Sequence, residues 1–293
     1  MPWQISLILF FIASAGQSLW QRSYSQKSTI PQTWPPALGY LLGQLPAATA
    51  IGLLSRHIHV HWSWGLVALL IGQAVFIAIF VWLQFVAIKL LPIARYQTIF
   101  QSYEIIVVIL GVLLLHETLS GYQALGGVIL LIAAVLAIRS QRESRAKDSK
   151  FHNGPVVLTL LSASSLGIGL ILEKLALRSM DYGAYYILGF GLQALALVVL
   201  AAKDYSRAAW QSIRRTDLRR SAIMGLFNTG VGTSYVYSIQ KSNNISLVTA
   251  LGAFALPLTV LAGYWLLHER EDLVKMWSAT GLACLGLIVS ALH

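Results

Sequence analysis

The sequence predicts an all-α polytopic membrane protein, ten transmembrane helices arranged as two inverted five-helix repeats. Three observations predict it. Of 293 residues 57% are hydrophobic and only 11% charged, against about a quarter charged in an ordinary soluble domain. The apolar residues gather into ten long segments rather than into one core pattern, and short stretches of the second half repeat stretches of the first.

The segments fall at about 3–20, 35–54, 66–88, 93–115, 121–139, 155–176, 184–202, 221–239, 245–267 and 273–292, each long enough to cross about 30 Å of hydrocarbon. Helices are required because a backbone in lipid must satisfy its own hydrogen bonds, and no alternating barrel pattern is present. Tryptophans mark the edges: Trp3 and Trp20 bracket the first segment, Trp34 opens the second, Trp62 and Trp64 the third, Trp265 closes the ninth and Trp277 opens the tenth. Their amphipathic rings prefer the headgroup layer. Trp82 lies deeper in its segment and must face lipid, a helix or a cavity. Ala13-Ser14-Ala15 resembles a signal-peptidase site, but no charged stretch precedes it, and segment six carries a counterpart, Leu161-Ser162-Ala163-Ser164-Ser165. Segment one is therefore expected to be a retained helix.

Leu114-Leu115-His116-Glu117 at the end of segment four recurs as Leu266-Leu267-His268-Glu269 at the end of segment nine, 152 residues on. Tyr40-Leu41-Leu42-Gly43 in segment two recurs as Tyr186-Ile187-Leu188-Gly189 in segment seven, 146 residues on, and Gly127 and Gly281 stand 154 apart. Matches in corresponding places point to duplication: a first repeat at 1–140, a basic linker at 141–153 and a second repeat at 154–293. An odd number of helices forces the copies to cross the membrane in opposite directions, which is a transporter architecture.

The net charge of +10 reads as a topology signal rather than a nucleic-acid footprint, since the cations are scattered over inter-helix loops and no nucleic-acid-binding motif is present. Loops after odd-numbered segments hold 17 of the 21 basic residues, leaving Arg56, Lys174, Arg178 and Lys241 on the other side. The positive-inside rule then puts the 140–153 linker in the cytoplasm and both termini outside the cell membrane. Residues 203–220 form a second basic stretch, read as an interfacial helix or a solvated loop. Cys284 is the single cysteine, so neither a disulfide framework nor a thiolate metal site is available. His57, His59 and His61 alternate without a nearby carboxylate and are read as an exposed loop rather than a metal site. No cofactor motif, Walker loop, zincin pair or nucleophile elbow is found, so an enzyme is not expected.

The duplicated pattern, with Leu-His-Glu closing the fourth helix of each half before a glycine-containing fifth, resembles the EamA-like branch of the drug/metabolite transporter superfamily over nearly the whole chain. That resemblance implies a ten-helix bundle exporting small metabolites, amino acids or toxic organic molecules, often against a proton gradient. It also implies cytoplasmic termini, where the charge count favours external ones. Tyr103-Glu104-Ile105 stands where many relatives are apolar or carry proline, while Pro257 holds the corresponding place in segment nine.

The expected function is secondary transport of a small metabolite, amino acid or organic cation by alternating access. The alternative is a non-transporting scaffold or lipid-interacting subunit. The expected partners are a small-molecule substrate, the bilayer and protons. Glu104 is the leading candidate for substrate binding or proton coupling. It stands about 18 Å from Pro92 and from Glu117 at 1.5 Å per residue, near the midplane, where an ionised carboxylate costs about 2.5–3.5 kcal/mol. Tyr103, Gln73, Trp82, Asn228 and Tyr235 complete the candidate site, and Gln17, Gln44, Gln84, Gln193 and Thr249 are further mid-segment polar residues, explicable as interhelical hydrogen bonds. Glu173 and Lys174 lie near the end of segment six, where snorkelling to the interface accounts for both. Gly39, Gly43, Gly225, Gly230 and Gly232 are read as points of close helix approach.

Overall fold

The computed structural model describes residues 3–28, 30–115, 154–204, 206, 210–211, 213–242, 248, 255–266 and 273–291, with short pieces of 121–136. The expected fifth segment and the linker therefore lie largely or wholly outside the described residues, as do Thr249, Glu117 and Glu269.

The described residues form helices and no sheet: α1 (Trp3–Lys27), α2 (Trp34–Gly39), a π-helical turn (Tyr40–Gln44), α3 (Leu45–Ser55), α4 (Trp64–Leu90), α5 (Ile93–Phe100), α6 (Tyr103–Leu115), α7 (Gly154–Ala176), α8 (Tyr182–Ala202), α9 (Arg215–Ser242), α10 (Ala255–Leu266) and α11 (Leu273–Ala291). Among the described residues five stretches are long and apolar enough to cross a membrane: Trp34–Ser55, Trp64–Leu90, Arg95–Leu114, Gly154–Ala176 and Tyr182–Ala202. Large apolar side chains such as Leu54, Leu113, Val199 and Trp265 stand exposed on the outside, as expected where lipid rather than water is the solvent.

Two of these stretches are not regular helices. In 34–55, Pro35 and Pro36 open the first turn, where a missing N–H costs nothing. Pro46 then cannot donate to the carbonyl four residues back, and its ring crowds that carbonyl. The chain widens into the π turn immediately before it, and the cap N–H of Leu45 bonds to Tyr40 O instead. In 93–115 the helix tightens between α5 and α6. Ser102 N–H bonds to Ile99 O at 3.1 Å, Glu104 N–H to Gln101 O at 3.1 Å and Ile105 N–H to Ser102 O at 3.2 Å, all three-residue steps. No proline or glycine occupies this break.

Ser63 caps α4, accepting from the Leu66 N–H at 3.1 Å, a standard N-cap arrangement. At the other end of α4 the Arg22 guanidinium donates to the carbonyls of Ile88 and Lys89, satisfying acceptors that a helix C-terminus leaves open. Arg22 is buried, so α1 runs past the expected end of segment one to serve α4. Helix α9 starts six residues before the expected 221 and absorbs 215–220, the end of the stretch read as an interfacial helix or a solvated loop. Arg214 N–H bonds to the Asp217 carboxylate at 3.1 Å, and Trp20 Nε1 donates to Arg220 O at 2.9 Å, pinning this extension to α1.

Packing pairs α1 with α9 and α4 with α7; α2 and the π turn lie on α9, and α8 lies on α4; α1 meets α10, and α7 meets α6; α3 crosses α8, and α5 crosses α10. At one end, residues 57–61 run along the turn between α7 and α8. His61 N–H donates to Ser179 O at 2.8 Å, Asp181 N–H to His59 O at 3.0 Å and Ala184 N–H to His57 O at 3.1 Å, with Val60 and Met180 in an isolated antiparallel bridge. The alternation of the three histidines thus serves backbone pairing. Among the described residues no group of three metal-ligating side chains is found.

Candidate functional site

A cavity of about 160 Å³ lies where these helices converge, slightly larger than the roughly 150 Å³ apolar cavity that accommodates a benzene molecule. α1 contributes Phe10, Ser14, Gln17 and Ser18; the π turn Tyr40 and Gln44; α4 Ile77, Phe80 and Gln84. The α5–α6 break supplies Gln97, Phe100, Gln101 and Tyr103; α7 supplies Leu166, Leu170 and Glu173; α8 supplies Phe190 and Gln193. Asn228, Val231, Gly232 and Tyr235 come from α9, with Ala255 and Thr259 from α10.

Both backbone irregularities open onto this cavity. The wide π turn puts Tyr40 and Gln44, its first and last residues, on one lining, and such turns recur at functional sites. The tightened turn presents Phe100, Gln101 and Tyr103 in close succession. Aromatic rings run from Phe80 through Phe100 to Tyr103, with centroids 5.6 and 5.3 Å apart, and Phe10 lies 5.8 Å from Tyr235. Gly232 makes room for the Phe190 ring, since a Cβ there would stand 2.7 Å from the ring edge.

The polar lining is partly cross-linked. Gln17 donates to Asn228 Oδ1, and Gln97 Nε2 donates to Ser18 Oγ at 2.7 Å. Gln84 Oε1 accepts from Gln21 at 3.4 Å. Other atoms have no partner among the described residues: Gln44 Oε1, Gln101 Oε1, Glu173 Oε1 and Asn228 Nδ2. Buried polar atoms are normally satisfied, so unpaired ones around a cavity mark where a bound molecule or water completes the bonding.

Glu173 corrects the sequence expectation. Rather than snorkelling to the interface, it is 4% exposed and lines the cavity. Its Oε2 accepts from the Tyr185 hydroxyl at 2.7 Å, and Gln193 Nε2 donates to that same hydroxyl at 3.3 Å. Tyr185 is held in turn against Phe190, centroids 5.5 Å apart. Glu173 is near the end of its helix, but Tyr185 of α8 packs against it there, so nearness to a helix terminus is not nearness to water here.

Tyr103, Asn228 and Tyr235 line the cavity, and so do Gln17, Gln44, Gln84 and Gln193. Glu104, Gln73 and Trp82 do not. Glu104 is buried with Oε2 unpartnered among the described residues, in the first turn of α6, where a negative side chain suits the helix dipole. Gln73 is fully buried with both amide atoms unpartnered among the described residues. Trp82 is covered by Lys203, whose Nζ lies 4.1 Å from the ring centroid. An unsatisfied buried polar group costs about 1–3 kcal/mol, so Glu104→Met is expected to raise thermal stability in detergent by that order and leave ligand affinity unchanged. Loss of solute flux in that variant, with its stability raised, would instead give Glu104 the coupling role the sequence suggested.

No protein-family model matches the chain, and no curated protein matches it. A crystal structure of a protein 16% identical in sequence shares the fold, with a TM-score of 0.53 over 98% of this chain and 96% of that one.

Proposed function

We propose that the chain is a secondary transporter that moves a small organic molecule through the central cavity by alternating access between two five-helix repeats, at 1–140 and 154–293. The observation that carries this is an exchange symmetry in the packing. Renaming each helix as its counterpart in the other half turns α1 on α9 into α7 on α4. It turns the π turn on α9 into α8 on α4, and α1 on α10 into α7 on α6. The contacts of α3 with α8 and of α5 with α10 map onto themselves. Two similar halves that embrace each other in this way have two equivalent ways of closing, which is the mechanical basis of rocking around a central site. All eight segments that correspond to the first four spans of each half reach the cavity, and two of them are irregular beside it, a feature of transporter binding sites. The similarity to EamA-like transporters, the ten spans and the cell-membrane location belong to the same proposal.

Flux in proteoliposomes of purified protein is the test, read as counterflow of radiolabelled amines, amino acids and sugars above the level of empty vesicles. Folded, monodisperse protein that moves none of them would favour the scaffold reading. Orientation follows from impermeant maleimide labelling in a Cys284→Ala background. His59→Cys, on the cation-poor side, is expected to label in intact cells, and Ser206→Cys only after permeabilisation. The reverse pattern would put both termini inside and make the charge count misleading.

A further inference from the structure

Resting on the transporter reading, we infer that the cavity selects a monocationic amine with a compact aromatic or apolar body, and that Glu173 is the group that reads its charge. Glu173 is the one carboxyl on the lining, and no lysine, arginine or histidine shares that lining among the described residues. Its Oε2 is fixed by Tyr185 and its Oε1 is left without a partner among the described residues. The Gln193–Tyr185–Glu173 chain of hydrogen bonds fixes the carboxylate in place and leaves one acceptor to spare, the arrangement of a preorganised ion-pair partner.

Two further acceptors without partners, Gln44 Oε1 and Gln101 Oε1, border the same cavity, from the π turn and from the α5–α6 break. An ammonium carries three donors and no acceptor, and suits a lining with spare acceptors. Placement adds to the preference: Glu173 sits in the last turn of α7, where the carbonyl end of the helix already carries partial negative charge. A carboxylate placed against the dipole destabilises the helix end but deepens the attraction for a cation. The rings of Phe80, Phe100, Tyr103, Phe190 and Tyr235 surround the remaining space and offer both apolar surface and cation–π faces. The volume admits a body of about one aromatic ring.

The test is titration calorimetry of the full chain in detergent with phenethylammonium, 2-phenylethanol and 3-phenylpropanoate, three probes of similar body and different charge. Phenethylammonium is expected to bind tighter than the alcohol and the acid by roughly 10- to 100-fold, the range for a hydrogen bond to a charged group. Glu173→Gln is expected to erase that advantage while changing the alcohol's affinity by less than about twofold, and Tyr185→Phe, which removes only the positioning hydroxyl, to erase part of it. Equal affinity for the ammonium and the alcohol, no binding of the ammonium at millimolar concentration, or an undiminished preference in Glu173→Gln would each overturn the inference. If Glu173→Gln does not fold, the wild-type comparison of the three probes decides alone. Counterflow keeps the two readings apart: an ammonium that binds but is not moved overturns transport and leaves the site standing, whereas flux of a neutral or anionic solute without ammonium binding overturns the site and leaves transport standing.

Discussion

Gly225→Leu is expected to yield little or no folded protein, and Gly225→Ala to lose about 3 kcal/mol of stability, the upper end of the range for overpacking a tight site. The reason is backbone against backbone. A Cβ at Gly225 falls onto the Gly39 carbonyl oxygen and within 2.8 Å of the Gln44 nitrogen. On the facing side, a Cβ at Gly43 would lie 2.8 Å from Gly225 Cα. No side chain can swing aside to relieve such contacts, so α9 must retreat from the π turn. Because Tyr40 and Gln44 stand on that turn, ligand affinity should fall together with stability. Gly191→Ala is the control: its Cβ meets only Leu45 Cδ1 at 3.7 Å, so the helix-propensity gain of up to about 1 kcal/mol is free to show. Tryptophan fluorescence during thermal unfolding measures all three variants. A Gly225→Ala protein as stable as the wild type would refute the close approach of α9 to the π turn.

That close approach was legible in the sequence, where Gly39, Gly43 and Gly225 stand out in apolar helices and small residues allow backbones to meet. Positions of the described helices are legible for a related reason, since apolar length is a one-dimensional property. What depends on the direction a residue faces was less so. Counting residues singles out Glu104, yet a count along the chain says nothing about which side of α6 faces the cavity, and Glu104 is not on its lining. Gln73 and Trp82 lie off the cavity lining for the same reason, while Tyr103, Asn228 and Tyr235 lie on it. The sequence hides Glu173 by the opposite route, because nearness to a helix end suggests nearness to water, and its enclosure against Tyr185 of α8 is a tertiary fact. A signal was available: a carboxylate in the last turn of an apolar helix opposes the dipole, and local rules are broken most often at functional sites. The π turn could have been suspected from Pro46. The break at Gln101 and Ser102 has no such marker, since neither residue is a helix breaker.

Locking one face of the molecule with a disulfide is expected to stop transport altogether. Val60 lies between α3 and α4, and Met180 between α7 and α8, so in the proposed two-repeat arrangement their antiparallel bridge ties the halves together at one end. Opposed residues in such a bridge have Cα atoms about 4.5–5.5 Å apart, inside the roughly 4.4–6.8 Å window of a disulfide. Cys284→Ala removes the chain's single native cysteine, leaving Val60→Cys and Met180→Cys as the only thiols. Alternating access requires this end to part once per cycle, because the cavity must reach each side of the membrane in turn. Oxidised protein should therefore show the flux of empty vesicles, and reduction should restore the wild-type rate. Ligand affinity should survive oxidation if the cavity is still reached from the opposite end, which separates a locked transporter from a misfolded one. Undiminished flux through fully cross-linked protein would mean that this end never opens, and the rocking of two repeats around the Glu173 cavity would have to be abandoned.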